Sequence, residues 1–178
     1  MYEWFRTKGE RVMVSRFQHV LVPGTFDPIT LGHIDVVIRA TRLAPKVTVC
    51  VAQSLNKNNS GTIFTLEERV DLVREALKPY VDVDVIPFSG LLVDVAQQLG
   101  AQAVVKGLRA TTDFEYELQQ AALNHQLYGE LESLFVMSNP KLGYLSSSAV
   151  RQISSMGGDV SQFVTPNVLE ALKKKFMQ

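Results

Sequence analysis

Short apolar runs alternate with longer amphipathic stretches along most of the 178-residue chain. Residues 46–52 (KVTVCVA) are rich in β-branched side chains, which is typical of a buried strand. Residues 81–87 (VDVDVIP) alternate apolar and polar positions with the period of two that predicts a half-buried strand. Further short apolar runs predict strands at residues 19–23, 103–105 and 133–137.

Helix signals fill the stretches between these strands. Thr65 and Glu68 stand three residues apart at the start of one amphipathic stretch, a capping-box pattern that predicts a helix ending near residue 78. Gly100 follows another such stretch and is typical of a helix end. The remaining patterns predict helices at residues 32–43, 91–99, 113–128, 146–156 and 166–176.

Strand–helix alternation of this kind is typical of an α/β protein. We predict a Rossmann-like, doubly wound five-stranded parallel sheet with helices on both faces, formed by a single domain over residues 19–178. Sheets of this type bind ligands at the carboxyl ends of their strands, where the strand order reverses. The candidate chemistry is therefore expected in the loops that follow strands.

The segment after the first predicted strand, residues 24–33 (GTFDPITLGH), combines a glycine turn with a helix start. Unpaired N–H groups at a helix N-terminus attract phosphates, and the Thr-x-Gly-His pattern ending at His33 would place an imidazole beside them. Alone, this pattern also fits a capped helix with a surface histidine. Neither a P-loop sequence nor Gly-x-Gly-x-x-Gly occurs, which excludes a P-loop enzyme and disfavours a dinucleotide-binding dehydrogenase.

Two later segments carry groups that suit phosphate binding. Lys106 and Arg109 lie on either side of a glycine just after a predicted strand, and an arginine can bind phosphate oxygens through two N–H groups at once. Three serines at positions 146–148 begin a helix, although a cap needs only one. Solvated cations on a turn and a serine-capped helix are the alternative interpretations of each segment taken alone.

Composition adds limits to this picture. Lys plus Arg and Asp plus Glu number 18 each, and the zero formal charge argues against nucleic acid as a partner. The single cysteine, Cys50, excludes an internal disulfide and fits a reducing compartment such as the cytoplasm. No run of 18 apolar residues occurs, so no membrane span is expected. Residues 1–18 are polar, and we expect a disordered extension there, with a partner-binding arm as the alternative.

The Thr-x-Gly-His pattern and the serine cluster are typical of the nucleotidylyltransferase superfamily. Lys-Gly-Leu-Arg at 106–109, Asp-Phe-Glu-Tyr-Glu at 113–117 and Phe-Thr-Leu-Glu-Glu-Arg at 64–69 further resemble the bacterial phosphopantetheine adenylyltransferases, and the resemblance covers residues 19–175. It implies adenylyl transfer from ATP to 4′-phosphopantetheine, giving dephospho-CoA and pyrophosphate in the penultimate step of coenzyme A biosynthesis. It also implies a cytoplasmic enzyme that uses Mg²⁺ and forms a homohexamer, a dimer of trimers.

The resemblance implies roles for individual residues as well. The catalytic set is His33, Lys57 and Arg109. ATP is expected to contact Thr25, Phe26, His33, Gly107, Leu108, Arg109, Glu117, Leu142, Gly143, Tyr144, Leu145, Ser146, Ser147 and Ser148. Phosphopantetheine is expected to contact Thr25, Lys57, Leu92 and Lys106. Many members of the family carry arginine where this chain has Lys106, so we expect a single point contact in place of an arginine fork.

These roles imply direct in-line attack by the acceptor phosphate on ATP, without a covalent intermediate. The sequence has no dense cluster of His, Cys and carboxylates, so no protein-built metal site is expected and Mg²⁺ would be carried mainly by the ATP phosphates. One alternative is a related transferase acting on nicotinamide mononucleotide or glycerol 3-phosphate, which the Lys-Gly-Leu-Arg stretch disfavours. Another is a nucleotide sensor without turnover, which the presence of His33, Lys57 and Arg109 disfavours.

Overall fold

The computed structural model describes residues 17–53, 61–109 and 111–176, so Lys57 and most of the expected N-terminal extension lie outside the described residues. Its strands span His19–Gly24 (β1), Lys46–Ala52 (β2), Asp84–Phe88 (β3), Ala103–Leu108 (β4) and Glu132–Met137 (β5). Its helices span Leu31–Ala40 (α1), Leu66–Leu77 (α2), Leu92–Leu99 (α3), Thr111–Leu127 (α4), Ser147–Ser155 (α5) and Pro166–Phe176 (α6). Within the described ranges, no helix combines the length and the apolar character that crossing a membrane demands.

The strands form one parallel sheet in the order β3-β2-β1-β4-β5. Val20 of β1 pairs with Val47 of β2 on one side and with Ala103 of β4 on the other. The chain therefore moves outward from β1 to β3 and then returns to the far side of β1 for β4 and β5. This reversal of strand order leaves a crevice at the carboxyl ends of β1 and β4.

Helices cover both faces of the sheet. The larger apolar cluster includes Val37 of α1, Val73 of α2 and Leu172 of α6. The smaller cluster joins Val93 of α3 to Cys50 of β2 on the other face. Burial raises the pKa of the Cys50 thiol to about 12, so this cysteine is a neutral core side chain. The predicted doubly wound α/β architecture is confirmed.

Two element boundaries correct the sequence prediction. β4 continues past residue 105, so Lys106 and Gly107 lie inside the strand and not in the loop after it, because both pair with β5. β3 begins only at Asp84, since the N–H of Val81 still donates to the carbonyl of Leu77 at the end of α2. The other predicted strands and helices are present, with ends that shift by three residues or fewer.

The capping box predicted at the start of α2 is confirmed. The hydroxyl oxygen of Thr65 accepts a hydrogen bond from the N–H of Glu68 at 3.2 Å, and the Glu68 carboxylate accepts one from the N–H of Thr65 at 2.8 Å. The two bonds satisfy N–H groups that the first turn of a helix leaves without partners. Local sequence therefore decides where α2 begins.

Candidate active site

A cavity of about 840 Å³ opens at the carboxyl ends of β1, β2 and β4, where the strand order reverses. Most of the predicted site residues line it: Thr25, Phe26, His33, Leu92, Lys106, Gly107, Arg109, Glu117, Leu142, Leu145, Ser146, Ser147 and Ser148. Three predicted residues, Leu108, Gly143 and Tyr144, are not part of its wall. Leu108 is buried, and Tyr144 is 69% exposed with its ring against that of Phe163. Lys57 lies outside the described residues.

The first loop, residues 25–30 between β1 and α1, is shaped by a close contact between Gly24 and Phe26. A Cβ atom at Gly24 would lie 2.8 Å from the tip of the Phe26 ring, so this position admits only glycine unless the ring moves. Phe26 itself has a φ of 49°, an uncommon value for a residue with a side chain, and its ring is only 3% exposed. The ring meets His33 edge to face, with centroids 5.2 Å apart. The buried Phe26 ring thus packs against the imidazole of His33.

His33 occupies the first turn of α1, and its side chain forms part of the cavity wall. Its Nδ1 accepts a hydrogen bond from the N–H of Thr30 at 3.1 Å, and the Thr30 hydroxyl lies 3.0 Å from the same atom. Burial, and secondarily the positive charge of Arg109, lower the pKa of His33 to about 4. The ring is therefore neutral near neutral pH and offers Nε2–H as a hydrogen-bond donor.

A buried carboxylate ties the first loop to its surroundings. Both oxygens of Asp27 accept hydrogen bonds at 3.0 Å from backbone N–H groups, one from Ile63 and one from Phe64. Arg151 of α5 lies 3.4 Å from the Asp27 carboxylate and donates to the Asp27 carbonyl as well. Asp27 therefore joins three parts of the chain at the cavity wall, through Ile63, Phe64 and Arg151.

Each of the three serines at the start of α5 has a different partner. Ser146 caps the helix by accepting from the N–H of Ala149 at 3.1 Å. The Ser147 hydroxyl donates to the carbonyl of Pro28 at 2.8 Å, which joins α5 to the first loop. Ser148 accepts from Arg151 at 3.3 Å. The Ser147 hydroxyl thus joins two parts of the cavity wall, whereas the bond of Ser148 stays within α5.

Charged side chains on the β4 side of the cavity are also arranged in contact with the protein. The ammonium of Lys106 forms an ion pair with the Glu117 carboxylate, and both side chains are largely buried, at 18% and 22% exposed. Arg109 donates to the carbonyl of Leu145 at 3.1 Å. With Arg151, the described wall holds three cationic side chains and two carboxylates, a balance that favours a negatively charged ligand.

Sequence reasoning did not assign site roles to Asp27 and Arg151. Asp27 stood inside the first motif, but its partners are 36 and 37 residues away and cannot be found from spacing. Arg151 follows the serine run by three residues, so its place one helical turn further on the same face was the available signal. Both residues line the cavity.

Metal-ligating side chains are not clustered in the described part of the chain. No group of three or more His, Cys, Asp or Glu side chains within residues 17–53, 61–109 and 111–176 could hold one. The two carboxylates of the cavity wall, Asp27 and Glu117, are already bound to Arg151 and Lys106.

Comparisons with known proteins identify relatives of the chain in sequence and in fold. Residues 21–153 match the cytidylyltransferase-like family. The chain is 49% identical over 155 residues to the phosphopantetheine adenylyltransferase of Alkaliphilus metalliredigens, covering 87% of this chain and 97% of that protein. It is 51% identical over 157 residues to that of Hahella chejuensis, covering 88% and 96%. A bifunctional NMN adenylyltransferase/ADP ribose pyrophosphatase from Francisella tularensis shares the fold, with a TM-score of 0.71 at 17% identity over 91% of this chain and 50% of that chain.

The fold, the cavity at the reversal point and the match over residues 21–153 define the class of this protein as a nucleotidyltransferase of the cytidylyltransferase-like type. The two bacterial relatives narrow that class, because about half of all aligned residues are identical over nearly their full length. The chain belongs to the phosphopantetheine adenylyltransferase family, and the resemblance found in its motifs is confirmed.

Proposed function

We propose that the protein transfers the adenylyl group of ATP to 4′-phosphopantetheine, giving dephospho-CoA and pyrophosphate, the penultimate step of coenzyme A biosynthesis. The observation that carries the proposal is that His33, Lys106 and the three serines at the start of α5 line one cavity. The chain that forms this cavity is about half identical to two phosphopantetheine adenylyltransferases. The single cysteine supports a cytoplasmic location for this reaction.

Different residues of the cavity wall are proposed to bind each substrate, and Thr25 is expected to contact both. His33, Arg109 and the start of α5 line the cavity and are proposed to bind the ATP triphosphate, because a neutral imidazole N–H and a guanidinium can donate to phosphate oxygens. Thr25, Leu92 and Lys106 also line the cavity and are proposed to bind phosphopantetheine, with Leu92 contacting its apolar arm. Lys57, outside the described residues, remains the predicted ligand of the acceptor phosphate.

The proposed mechanism is direct in-line attack by the acceptor phosphate on the α-phosphorus of ATP. The acceptor phosphate is already an anion near neutral pH, so no general base has to remove a proton from it. The P–O bond to the α-phosphorus forms as the bond to the leaving pyrophosphate breaks. The protein's task is to align two polyanions and to donate hydrogen bonds to the charge that develops, which suits His33 and Arg109.

Mg²⁺ fits this scheme as a partner of the nucleotide. The carboxylates of Asp27 and Glu117 are held by protein cations, so the ATP phosphates would supply the oxygen ligands that Mg²⁺ prefers. When bound, the ion would offset part of the triphosphate charge. A Francisella tularensis structure of the same fold was obtained as a complex with AMP and Mn ion, which supports divalent-metal use in this fold.

A homohexamer is the assembly we propose. Helix α4 leaves several large apolar side chains exposed in the single chain, among them Tyr116, Leu118, Leu123 and Leu127. We propose that contacts between copies of the chain cover these exposed apolar side chains. Light scattering in solution would test this proposal: a mass near that of one 19.8 kDa chain would contradict it.

The activity is tested by pyrophosphate release. The purified protein with ATP and Mg²⁺ would be given 4′-phosphopantetheine, nicotinamide mononucleotide or glycerol 3-phosphate in separate reactions. We expect release with 4′-phosphopantetheine alone. Release only with either of the other acceptors would replace the proposed substrate, and no release with any acceptor would favour a nucleotide sensor.

A further inference from the structure

Arg69 is the largest fully buried side chain in the described part of the chain. It lies on α2 in the stripe that also buries Val70 and Val73, and it is 0% exposed. Taking a guanidinium out of water is unfavourable unless its N–H groups find acceptors, and an apolar side chain would fill the same space without that cost. Packing alone therefore does not explain an arginine at this position.

The guanidinium of Arg69 joins three segments at the carboxyl edge of the sheet. Nη1 donates to the carbonyl of Thr25, just past β1, at 2.6 Å and to the carbonyl of Ala52, at the end of β2, at 2.8 Å. Nε donates to the carbonyl of Phe64, just before α2, at 3.3 Å. Because the guanidinium is planar and rigid, it holds the ends of two neighbouring strands at a fixed separation.

Nη2 of Arg69 is buried without a hydrogen-bond partner among the described residues, and nearby carboxylates act on the charge of the guanidinium. Burial lowers the pKa of Arg69, while the charges of Asp27 and Glu67 raise it. Asp27 accepts a hydrogen bond from the N–H of Phe64, and Arg69 donates to the carbonyl of the same residue. Asp27 of the first loop and Arg69 of α2 therefore both hydrogen-bond to the backbone of Phe64.

We propose that Arg69 is a positioning residue for adenylyl transfer, which fixes the backbone of Thr25 at the cavity wall. The inference rests on the proposed function. Thr25 is exposed at the cavity wall, and Arg69 holds its carbonyl from the protein side. His33 is oriented by a different element, through Thr30 at the start of α1. Thr25 is one of fourteen residues expected to contact ATP but one of only four expected to contact phosphopantetheine, so disturbing Arg69 should affect the acceptor more than ATP.

The test compares Arg69→Lys with Arg74→Lys. Lysine keeps the charge but loses the planar fork, and Arg74 is a matched control on the same helix, because it is about half exposed and donates to the carbonyl of Val85 outside the cavity. For Arg69→Lys we expect the KM for 4′-phosphopantetheine to rise at least about tenfold while the KM for ATP changes by less than about threefold. For Arg74→Lys both constants should stay within about twofold of wild type.

Equal changes in both KM values, or none, in a folded Arg69→Lys protein would overturn the inference. If wild type proved inactive with every acceptor, the proposed function would fail, but amide hydrogen exchange would still test the role of Arg69. The amides of residues 24–27 should exchange faster in Arg69→Lys than in Arg74→Lys. Equal exchange rates in the two variants would refute the positioning role. Should Arg69→Lys not fold, the Nε–H signal of Arg69 in ¹⁵N-arginine-labelled wild type should shift with 4′-phosphopantetheine; an unmoved signal would count against the inference.

Discussion

The backbone N–H of Thr30 donates a hydrogen bond to Nδ1 of His33 over 3.1 Å, and this contact fixes the tautomer of the ring. Because Nδ1 accepts, the hydrogen of the neutral imidazole must reside on Nε2. His33 occupies the third position of α1, so its side chain reaches back to the residue that caps the helix, as the last residue of a capping box does. The Thr-x-Gly-His pattern thus orients its own donor.

Replacement of His33 by alanine should lower kcat far more than it raises the KM for ATP. A preorganised donor directed at charge that develops during the reaction stabilises the transition state more than the bound substrate, and its removal should cost on the order of 3 kcal/mol. Steady-state kinetics of His33→Ala would check this, with His125→Ala on the exposed end of α4 as the control. A kcat within about threefold of wild type would rule out the proposed role.

The lowered pKa of His33 should make the folded protein sensitive to acid. Between about 4 in the folded state and 6.5 in the unfolded chain, the unfolded chain binds more protons. The free energy of unfolding should therefore decrease as pH falls from 6.5 toward about 4. Above pH 6.5 the ring is neutral in both states, so His33 should add no pH dependence there. Denaturant unfolding of wild type and His33→Gln across this range should show a smaller decrease in the variant. Parallel curves would contradict the assignment.

Gly107→Ala should destabilise the protein through a contact between α1 and β4. A Cβ atom at Gly107 would lie 2.6 Å from Cγ2 of Val36, which is closer than non-bonded carbon atoms approach one another in proteins. We expect a loss of about 1–3 kcal/mol in the free energy of unfolding, as for other overpacked cores. Gly129→Ala is the matched control, since its Cβ would meet only ordinary contacts, the nearest at 3.6 Å. Equal melting temperatures for the two variants would show that the helix can move away.

Lys106 and Glu117 should be coupled in substrate binding. Their ion pair is largely buried, so removing either charge leaves the other without its partner. A double-mutant cycle with Lys106→Met and Glu117→Gln, measured through the KM of each substrate, should give a coupling energy of about 1 kcal/mol or more. Lys106→Arg should keep the pair and tighten phosphopantetheine binding, because arginine adds a second donor to one phosphate. Strictly additive effects would mean that the two side chains act independently.

Local pattern was sufficient for much of this architecture. Period-two and β-branched runs predicted the strands, and the pair of Thr65 and Glu68 predicted the start of α2, because these signals act over a few neighbouring residues. The loops that follow β1 and β4 could also be marked as candidate sites, since ligands gather at the carboxyl ends of parallel strands. The end of β4 could not be predicted, because Lys106 and Gly107 are held in the strand by pairing with β5.

The sequence by itself determined the class of fold, the family and the motifs that face the cavity. Only the tertiary structure decided which distant groups meet: Arg69 with the carbonyls of Thr25 and Ala52, Asp27 with Arg151, and Lys106 with Glu117. Periodicity can place a residue on the inner face of an element, but its partner there depends on strand order and on loops that close over tens of residues. These long-range contacts, which no short segment encodes alone, set the shape and charge of the site.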